Sequence, residues 1–423
     1  MLKEETYNAY LAILREELIP ATGCTEPIAI AYCASVLRGL LEAPPERIDA
    51  AVSGNILKNV KSVVVPNTNG LKGISAAIAA GMIAGQRDKG LQVIAEVSEK
   101  QKEEIADYLK STSVQISCAD SPCILDIDLT GYYKGHSARV RITNSHTNIV
   151  YMKKDDEILL DQPVVGSAED HMQDKSVLNV ADIVAFADTA DLNQLKAVLK
   201  KQAVCNYAVA KEGLRGGWGA QIGKTLLETG GKDIITEAKA YAAAGSDARM
   251  SGCEMPVVIL SGSGNQGITA TLPIICYAEH IHADEELFYR SLAVSDLVTI
   301  HQKTGIGRLS AYCGAVSAGV GAGAGIAYMM GDGVDGVSYT ISNAAAILSG
   351  TICDGAKSSC AAKIASAVEA GIMGYRMYAR HNNFQAGDGI VGKDVEEMIS
   401  HIGILASQGM KETDRVILSI MSV

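Results

Sequence analysis

Hydrophobic positions recur with a helical period along most of the chain. Charged and apolar residues alternate at helical spacing over residues 4–18, and apolar runs follow at residues 28–41 and 72–86. Two further runs of this kind occur late in the sequence, at residues 237–250 and 268–277. This pattern predicts a protein built mainly from helices that are buried on one face or on all sides.

A stretch without charged residues runs from Leu309 to Gly331 and is rich in Gly, Ala and Ser. It is long enough to cross a lipid bilayer. Its residues are too weakly hydrophobic for stable insertion, however, and its flanks carry neither an aromatic belt nor a basic cluster. We therefore interpret this stretch as a helix at the centre of the protein, and we expect no membrane partner.

A strand-like pattern interrupts the helices between residues 87 and 166. A charged helix at Glu99–Lys110 is surrounded by segments with β-branched residues and alternating polarity, at Leu91–Val97, Ser113–Ser117, Ile124–Leu129, Ala138–Ile142 and Asn148–Met152. The sequence therefore predicts an α+β fold. We expect a mostly helical catalytic domain, residues 1–86 and 167–423, into which a small α+β module, residues 87–166, is inserted.

Composition narrows the function classes. The net charge of −11 makes nucleic acid an unexpected partner. The N-terminus lacks the apolar segment of a secretory signal, so we expect a cytoplasmic protein. Its ten cysteines are then reduced thiols, for which metal binding or catalysis is a better explanation than disulfide bonds.

Cys24 stands in the segment Cys-Thr-Glu-Pro, directly before an apolar run. Thr25 is a suitable N-cap and Pro27 is tolerated in a first helical turn, so Cys24 is predicted at a helix N-terminus. The positive end of the helix dipole favours a thiolate there. The alternative is a helix cap in which the cysteine is incidental.

Two polar segments could bind a small carboxylate next to helix starts. The first contains Ser53, Asn55, Lys58 and Asn59, with Asn67 shortly after it, and Lys58 is the expected charged partner. The second is the loop that contains Ser261, Gly262, Ser263, Gly264 and Asn265. The alternative is that each segment is only a turn.

Three cysteines, Cys313, Cys353 and Cys360, occur in a region rich in Gly and small residues. Three thiolates in such a pocket suit an iron–sulfur cluster in which one iron has no protein ligand. Buried structural cysteines are an equally good explanation of the spacing alone. His146 and the other histidines show no metal-ligand spacing, and we interpret them as structural or surface residues.

Combined, these motifs resemble the iron–sulfur L-serine dehydratase alpha-chain superfamily, and most closely its L-cysteine desulfidase branch. The resemblance covers nearly the whole chain and rests on Cys-Thr-Glu-Pro at 24–27, Ser-Gly-Asn-Ile-Leu-Lys-Asn at 53–59, Ser-Gly-Ser-Gly-Asn-Gln-Gly at 261–267 and Ile-Cys-Asp-Gly-Ala-Lys at 352–357. Two departures from the dehydratases are a shorter spacing from Cys353 to Cys360 and the presence of Cys24 where the dehydratases carry a Ser-His-Thr motif.

The resemblance implies a [4Fe-4S] cluster held by Cys313, Cys353 and Cys360, and it adds Glu26 to the expected substrate-binding residues. It implies a carbon–sulfur lyase that converts L-cysteine to pyruvate, hydrogen sulfide and ammonia. A base must then remove the α-proton, and Cys24 is our candidate for that role. The alternatives are an L-serine dehydratase and a non-enzymatic sensor of amino acids or redox state. The expected partner is a small amino acid, and a homo-oligomer is compatible with the sequence.

Overall fold

The computed structural model describes residues 2–164, 173–307 and 310–421. The predicted domain boundary at residues 166–167 and the start of the charge-free run at Leu309 lie outside these ranges. The helices are α1 Glu4–Glu17, α2 Thr25–Leu41, α3 Gly54–Val60, α4 Gly73–Ala84, α5 Glu99–Ser111, α6 Val180–Thr189, α7 Leu192–Arg215, α8 Ile222–Thr229, α9 Ile234–Met250, α10 Gly264–Ile281, α11 Glu285–Ile306, α12 Gly314–Met329, α13 Gly333–Ile347, α14 Cys360–Tyr378, α15 Val395–Ile404 and α16 Lys411–Met421. The strands are β1 Ile19–Thr22, β2 Arg47–Val52, β3 Ser113–Cys118, β4 Asp126–Tyr133, β5 His136–Thr143, β6 Ile149–Lys154, β7 Glu157–Asp161 and β8 Pro256–Ile259.

Six strands form one mixed sheet in the order β3-β2-β4-β5-β6-β7. Strand β2 pairs in parallel with β3, and the other neighbours pair antiparallel. Helix α2 packs against β4 and β5 and joins this sheet to the helices. The predicted α+β fold is confirmed. The sheet takes the inner strand β2 from before residue 87, and the division into residues 1–86 with 167–423 and 87–166 stays a prediction.

Helix α12 lies at the centre of the helical part and contacts α10, α11, α13 and α14. Its glycines allow this close packing: a Cβ atom on Gly323 would lie 2.4 Å from the carbonyl oxygen of Gly371 in α14. The prediction of a buried helix in the charge-free run is confirmed for the described residues. None of the described helices combines the length and apolarity needed to cross a membrane.

One predicted strand is wrong. Part of the segment Leu91–Val97 belongs to a 3₁₀ turn, Arg87–Gln92, and the rest is irregular. Its apolar residues Val93 and Ile94 are buried as a strand would bury them. However, the amide of Asn67 donates hydrogen bonds to the carbonyl oxygens of Ile94 and Ala95, at 2.8 and 3.3 Å, in place of a strand partner.

A polar pair is buried between α7 and α11. The amide Nε2 of Gln202 donates a hydrogen bond of 2.8 Å to Oδ1 of Asp296, and both residues are fully buried. The remaining oxygens, Gln202 Oε1 and Asp296 Oδ2, have no hydrogen-bond donor among the described residues. Burial raises the pKa of Asp296 to about 8. A protonated Asp296 can donate from Oδ2 to Gln202 Oε1, which would satisfy both atoms in one cyclic pair.

We therefore expect the pair to make folding stability pH dependent. The unfolded carboxyl ionises near its ordinary pKa of 3.8, whereas the folded one stays protonated to about pH 8. Stability should thus fall as pH rises between these values, by at most roughly 1.4 kcal/mol per pH unit from this residue. Asp296→Asn keeps the paired geometry and should flatten that slope, measured as urea unfolding midpoints at pH 5 and pH 8. The exposed control Asp88→Asn should keep the pH slope of the wild type. The same unchanged slope in Asp296→Asn would contradict this account.

Candidate active site

A pocket of about 100 Å³ lies where α2, α3, α9, α10, α11, α12 and α14 meet. This is well below the roughly 300–1,000 Å³ of clefts that bind drug-sized ligands, so the pocket suits a small molecule. The predicted site residues on its wall are Cys24, Glu26, Asn55, Lys58, Asn59, Gly262, Ser263, Asn265, Cys313, Cys353 and Cys360. The fold thus brings together segments that are far apart in sequence.

Four long helices begin at this pocket without a side-chain cap. Their N-cap residues are Cys24 in α2, Ser263 in α10, Cys313 in α12 and Ser359 in α14, and none of these side chains accepts a hydrogen bond from its own described first turn. Helices α5, α6, α7, α9, α11 and α15 are capped by Ser, Asn or Asp side chains. Helices α1, α3, α4, α8 and α13 also begin without a side-chain cap. Uncapped helix starts carry partial positive charge, so the pocket wall favours anions.

Backbone pairing brings Cys313 and Cys353 together. The two segments form an antiparallel bridge, in which the amide of Cys313 donates to the carbonyl oxygen of Thr351 (3.1 Å) and the amide of Cys353 donates to that of Ala311 (2.6 Å). Cys360 is the first residue of α14 and lies on the same pocket wall. All three predicted ligands therefore border one cavity.

The charges around these thiols matter for any bound metal. Burial and the neighbouring cysteines raise the pKa of Cys313 to about 12, and burial also raises the pKa of Cys360. Metal binding must therefore displace their protons. Lys357 and Lys363 each lie 2.5 Å from Asp354, and together they outweigh its burial and lower its pKa to about 2. The positive charge of Lys363 also favours the thiolate forms of Cys313 and Cys360.

The chemistry of this pocket wall is compatible with an anionic cluster. Within the described ranges, no three His, Cys, Asp or Glu side chains are grouped so that they could hold a metal ion. In a four-iron cluster each cysteine binds a different iron, so the thiols stand around the cluster and need not converge on one ion. Three cysteines on one wall, the uncapped helix starts and the nearby lysines fit such an anionic group, whose presence stays a prediction.

Cys24 is the N-cap of α2, and Thr25 is its first residue. The thiol is only 3% exposed and donates a hydrogen bond of 3.1 Å to Oε2 of Glu26. Burial and the charge of Glu26 raise the pKa of Cys24 well above its ordinary value, and the opposing charge of Arg249 does not outweigh them. The expectation of a lowered pKa is therefore wrong, because the sequence shows the helix start but neither the burial nor the nearby carboxylate.

Glu26 is a buried carboxylate with several hydrogen-bond donors. Its Oε2 also accepts from Thr25 Oγ1 (2.9 Å), and its Oε1 accepts from the amide of Asn59 (3.0 Å). Burial alone would raise its pKa, but His146, the thiol of Cys24 and Arg249 outweigh this effect and hold the pKa of Glu26 below its ordinary value. Glu26 and Cys24 thus form a linked pair that carries one proton and one negative charge at neutral pH.

His146 is a site neighbour that the sequence analysis missed. It is 9% exposed, acts electrostatically on Glu26, and lies against Gly262 of the Ser/Gly loop. The chain reads Ser145-His146-Thr147 here, the same three residues as the dehydratase motif that the sequence analysis assigned to the position of Cys24. The correspondence of Cys24 to that motif stays a prediction. The Ser-His-Thr sequence could have identified His146 as a site residue, but the hairpin pattern around it indicated only a turn.

Lys58 does not present an unpaired charge to the pocket. Its ammonium group lies 2.5 Å from Oδ1 of Asp414 in α16, and the Lys58 side chain is only 1% exposed. Leu418 of the same helix packs on Gly54, where a Cβ atom would come within 2.8 Å of Leu418 Cδ1. Helix α16, the last described helix, therefore packs against α3 beside the pocket.

Four predicted site residues are not among those that line the pocket, and they have structural contacts instead. The hydroxyl of Ser53 donates to the carbonyl oxygen of Ile124 at 2.7 Å, which fixes α3 to the sheet. The amide of Asn67 donates to the carbonyl oxygens of Ile94 and Ala95, just after the 3₁₀ turn, as described above. Ser261 has a φ of 47°, in the turn that leads to α10. Gly264 supports Arg249, because a Cβ atom on it would lie 2.3 Å from Arg249 Nε.

Arg249, Gln266 and Lys303 line the pocket, and none was predicted. Gln266 is 4% exposed, and its Oε1 has no hydrogen-bond donor among the described residues. It packs over Gly314, where a Cβ atom would lie 2.7 Å from Gln266 Nε2. Gln266 belongs to the loop motif and could have been identified from the sequence, whereas Arg249 and Lys303 lie late in ordinary helices and gave no signal.

Comparisons with known proteins identify the family of the chain. The sequence model of the family described as serine dehydratase alpha chain matches residues 88–419. A UPF0597 protein of Desulfitobacterium hafniense (strain Y51) is 53% identical over 99% of this chain and 97% of the relative. UPF0597 proteins of Treponema denticola and Finegoldia magna are 44% and 47% identical, over 99% and 97% of this chain and 99% of each relative. The superfamily prediction is confirmed, and the cysteine desulfidase branch stays a prediction.

If the three clustered cysteines hold iron, removing one should be enough to weaken binding. We expect Cys360→Ala to lose most of the iron and visible absorbance gained on anaerobic reconstitution, because each cysteine would hold a separate iron. The control Cys205→Ala, at a half-buried cysteine of α7 outside the pocket, should reconstitute normally. Equal iron content in both variants, measured by colorimetric iron assay, would contradict the assignment.

Proposed function

The chain belongs to the serine dehydratase alpha chain family, and from that premise we propose that it is an iron–sulfur-dependent amino-acid β-lyase acting on L-cysteine. Membership supports a lyase-type enzyme in general. The observation that carries the finer proposal is the pocket itself, where Cys24 and Glu26 face the same cavity as Cys313, Cys353 and Cys360. A proton-transfer pair and three candidate cluster ligands thus share one small space.

We assign Cys313, Cys353 and Cys360 as the residues that would hold a [4Fe-4S] cluster. When bound, such a cluster with one iron lacking a protein thiolate supplies a Lewis acid to the pocket. The family is generally iron–sulfur dependent, which supports this assignment. The uncapped starts of α12 and α14 and the charge of Lys363 stabilise the thiolates that ligation requires.

Cys24 and Glu26 are proposed to manage the α-proton. Glu26 stays ionised, and its charge is offset when the α-ammonium group of the substrate binds beside it. The thiol of Cys24 then loses its proton to solvent, and the resulting thiolate removes the α-proton of the substrate. The electron pair of that C–H bond forms the Cα=Cβ double bond, and the C–S bond breaks to release HS⁻. The enamine product tautomerises and is hydrolysed by water to pyruvate and ammonia.

The other polar wall residues would bind the substrate. Glu26, as an ionised carboxylate, is suited to the α-ammonium group and is oriented by Asn59. Asn55 presents a buried Oδ1 without a described donor, which is another acceptor for that group. Ser263 and Asn265 contribute the start of α10. We propose supporting roles for Ser53, Asn67, Ser261, Gly262 and Gly264, which shape the loops around them.

L-Serine is the second candidate substrate, and a specific observation favours it. Ser145-His146-Thr147 is the motif expected of the dehydratases, and His146 is buried beside Glu26. A protonated imidazole there could give a departing hydroxide the proton that it needs, whereas HS⁻ leaves without one. A cluster-based sensor, our alternative from another class, would bind amino acid without turnover.

The free thiols at all ten cysteines support a reducing compartment such as the cytoplasm.

Turnover separates these candidates directly. Anaerobically reconstituted protein should release sulfide, pyruvate and ammonia in equal amounts from L-cysteine, and it should act on L-serine more slowly. Pyruvate from L-serine alone would identify a dehydratase. Binding without pyruvate from either amino acid, at full iron content, would overturn the lyase proposal.

A single variant then tests the base. Cys24→Ser should keep iron and absorbance but lose roughly 100-fold or more in kcat, because a hydroxyl is far too weak an acid to replace a thiolate. The matched control Cys33→Ala removes another buried thiol of α2, which faces the sheet through Val140, and should retain most activity. Near-normal turnover by Cys24→Ser would show that Cys24 only caps the helix, and loss of iron would make it a cluster ligand.

A further inference from the structure

Arg249 is one of three cationic residues of the pocket wall, with Lys58 and Lys303, that the proposed mechanism leaves without a role. It ends α9, is 3% exposed, and lines the pocket. We propose that Arg249 binds the α-carboxylate of the substrate, an assignment that rests on the amino-acid lyase function proposed above. It replaces Lys58, the carboxylate partner expected from the sequence.

The surroundings of Arg249 hold its side chain in one orientation. Its Nε donates to the carbonyl oxygen of Gly23 at 3.0 Å, and its Nη1 donates to Oδ1 of Asn265 at 3.1 Å. Gly264 leaves the space for the guanidinium, because a Cβ atom would lie 2.3 Å from Nε. Both contacts are made with neutral oxygens, and the described residues form no salt bridge with this side chain. Neither contact brings a negative charge to the guanidinium, and the carboxylate of Glu26 interacts with it only through its charge, without a hydrogen bond.

A guanidinium has five N–H donors, and two of them are used here. The Nη2 group has no hydrogen-bond acceptor among the described residues. A planar fork with unused donors matches the two oxygens of a carboxylate. Lys58, by contrast, is already neutralised by Asp414 at 2.5 Å, so a substrate carboxylate would have to displace that partner.

The position of Arg249 also explains how the α-carbon of the substrate would be oriented towards Cys24. Arg249 holds the carbonyl of Gly23, the residue directly before Cys24, and its charge acts on both Cys24 and Glu26. In an α-amino acid the carboxylate and the ammonium are both attached to the α-carbon. With the carboxylate at Arg249 and the ammonium at Glu26, the α-hydrogen lies near Cys24.

The test compares ligands with and without a carboxylate on reconstituted full-length protein. For wild type we expect kcat/KM for L-cysteine to exceed that for L-cysteinamide strongly. Arg249→Gln should lower the L-cysteine value by roughly 30- to 4,000-fold, the range for removing one partner of a buried charged pair. The L-cysteinamide value should change little, so the preference collapses. Gly264→Ala displaces the guanidinium but keeps its charge, and it should also lower kcat/KM for L-cysteine more than kcat/KM for L-cysteinamide.

Arg38→Gln is the matched structural control. Arg38 is a half-buried arginine of α2 that holds the carbonyl oxygens of Met82, Ile83 and Gly85. Its loss should lower the melting temperature but leave the carboxylate preference unchanged. An equal fall for both ligands in Arg249→Gln, at normal iron content, would show a structural role and overturn the proposal. So would a preference that collapses in Lys58→Met but not in Arg249→Gln.

A binding measurement keeps this test independent of turnover. L-Alanine carries the same carboxylate and ammonium but has no leaving group, and L-alaninamide lacks the carboxylate. Calorimetry should show L-alanine binding to wild type that is lost in Arg249→Gln and retained in Arg38→Gln. If wild type binds L-alanine in this way but has no lyase activity, only the proposed function is contradicted, and the role of Arg249 in carboxylate binding still holds. Equal L-alanine binding by wild type and Arg249→Gln, or no binding by either, would overturn the role of Arg249.

Discussion

The convergence of four uncapped helix N-termini on one small pocket is the feature on which the rest of the structure depends. Residues from the first turns of helices α2, α10, α12 and α14 all line it. Bringing so many positive helix ends together is unfavourable unless anions are bound there. Glu26 supplies one negative charge, and thiolates, a cluster and a substrate carboxylate are the natural sources of more. The small residues of α12 make the convergence possible, because they let α14 pack against it at backbone distance.

A two-stranded sheet fixes the starts of α2 and α10 relative to each other. Strands β1 and β8 pair directly, and they lead into α2 and α10 respectively. The hydroxyl of Thr25 then donates to the carbonyl oxygen of Gly262 at 3.0 Å, which joins the start of α2 to the Ser/Gly loop. The large sheet contributes His146 through the turn after β5. The two parts of the chain therefore meet at the candidate active site.

Much of this could be predicted from the sequence, since short polar motifs beside apolar runs are local signals. Cys24, Asn59, Ser263 and the three clustered cysteines were identified in that way. What the sequence hides is long-range. The burial that raises the pKa of Cys24, the pairing of Lys58 with Asp414 and the position of Arg249 each depend on segments hundreds of residues apart. The false strand at Leu91–Val97 has the same origin, because a side-chain amide from Asn67 satisfies its backbone.

The central claim is that three cysteines of this pocket hold a cluster whose remaining iron faces the substrate. Mössbauer spectroscopy of ⁵⁷Fe-reconstituted protein, recorded with and without L-cysteine, tests it most directly. The account predicts a cluster signal in which one iron site alone changes its isomer shift when the amino acid binds. A cluster whose iron sites are all unaffected by the amino acid during active turnover would contradict it.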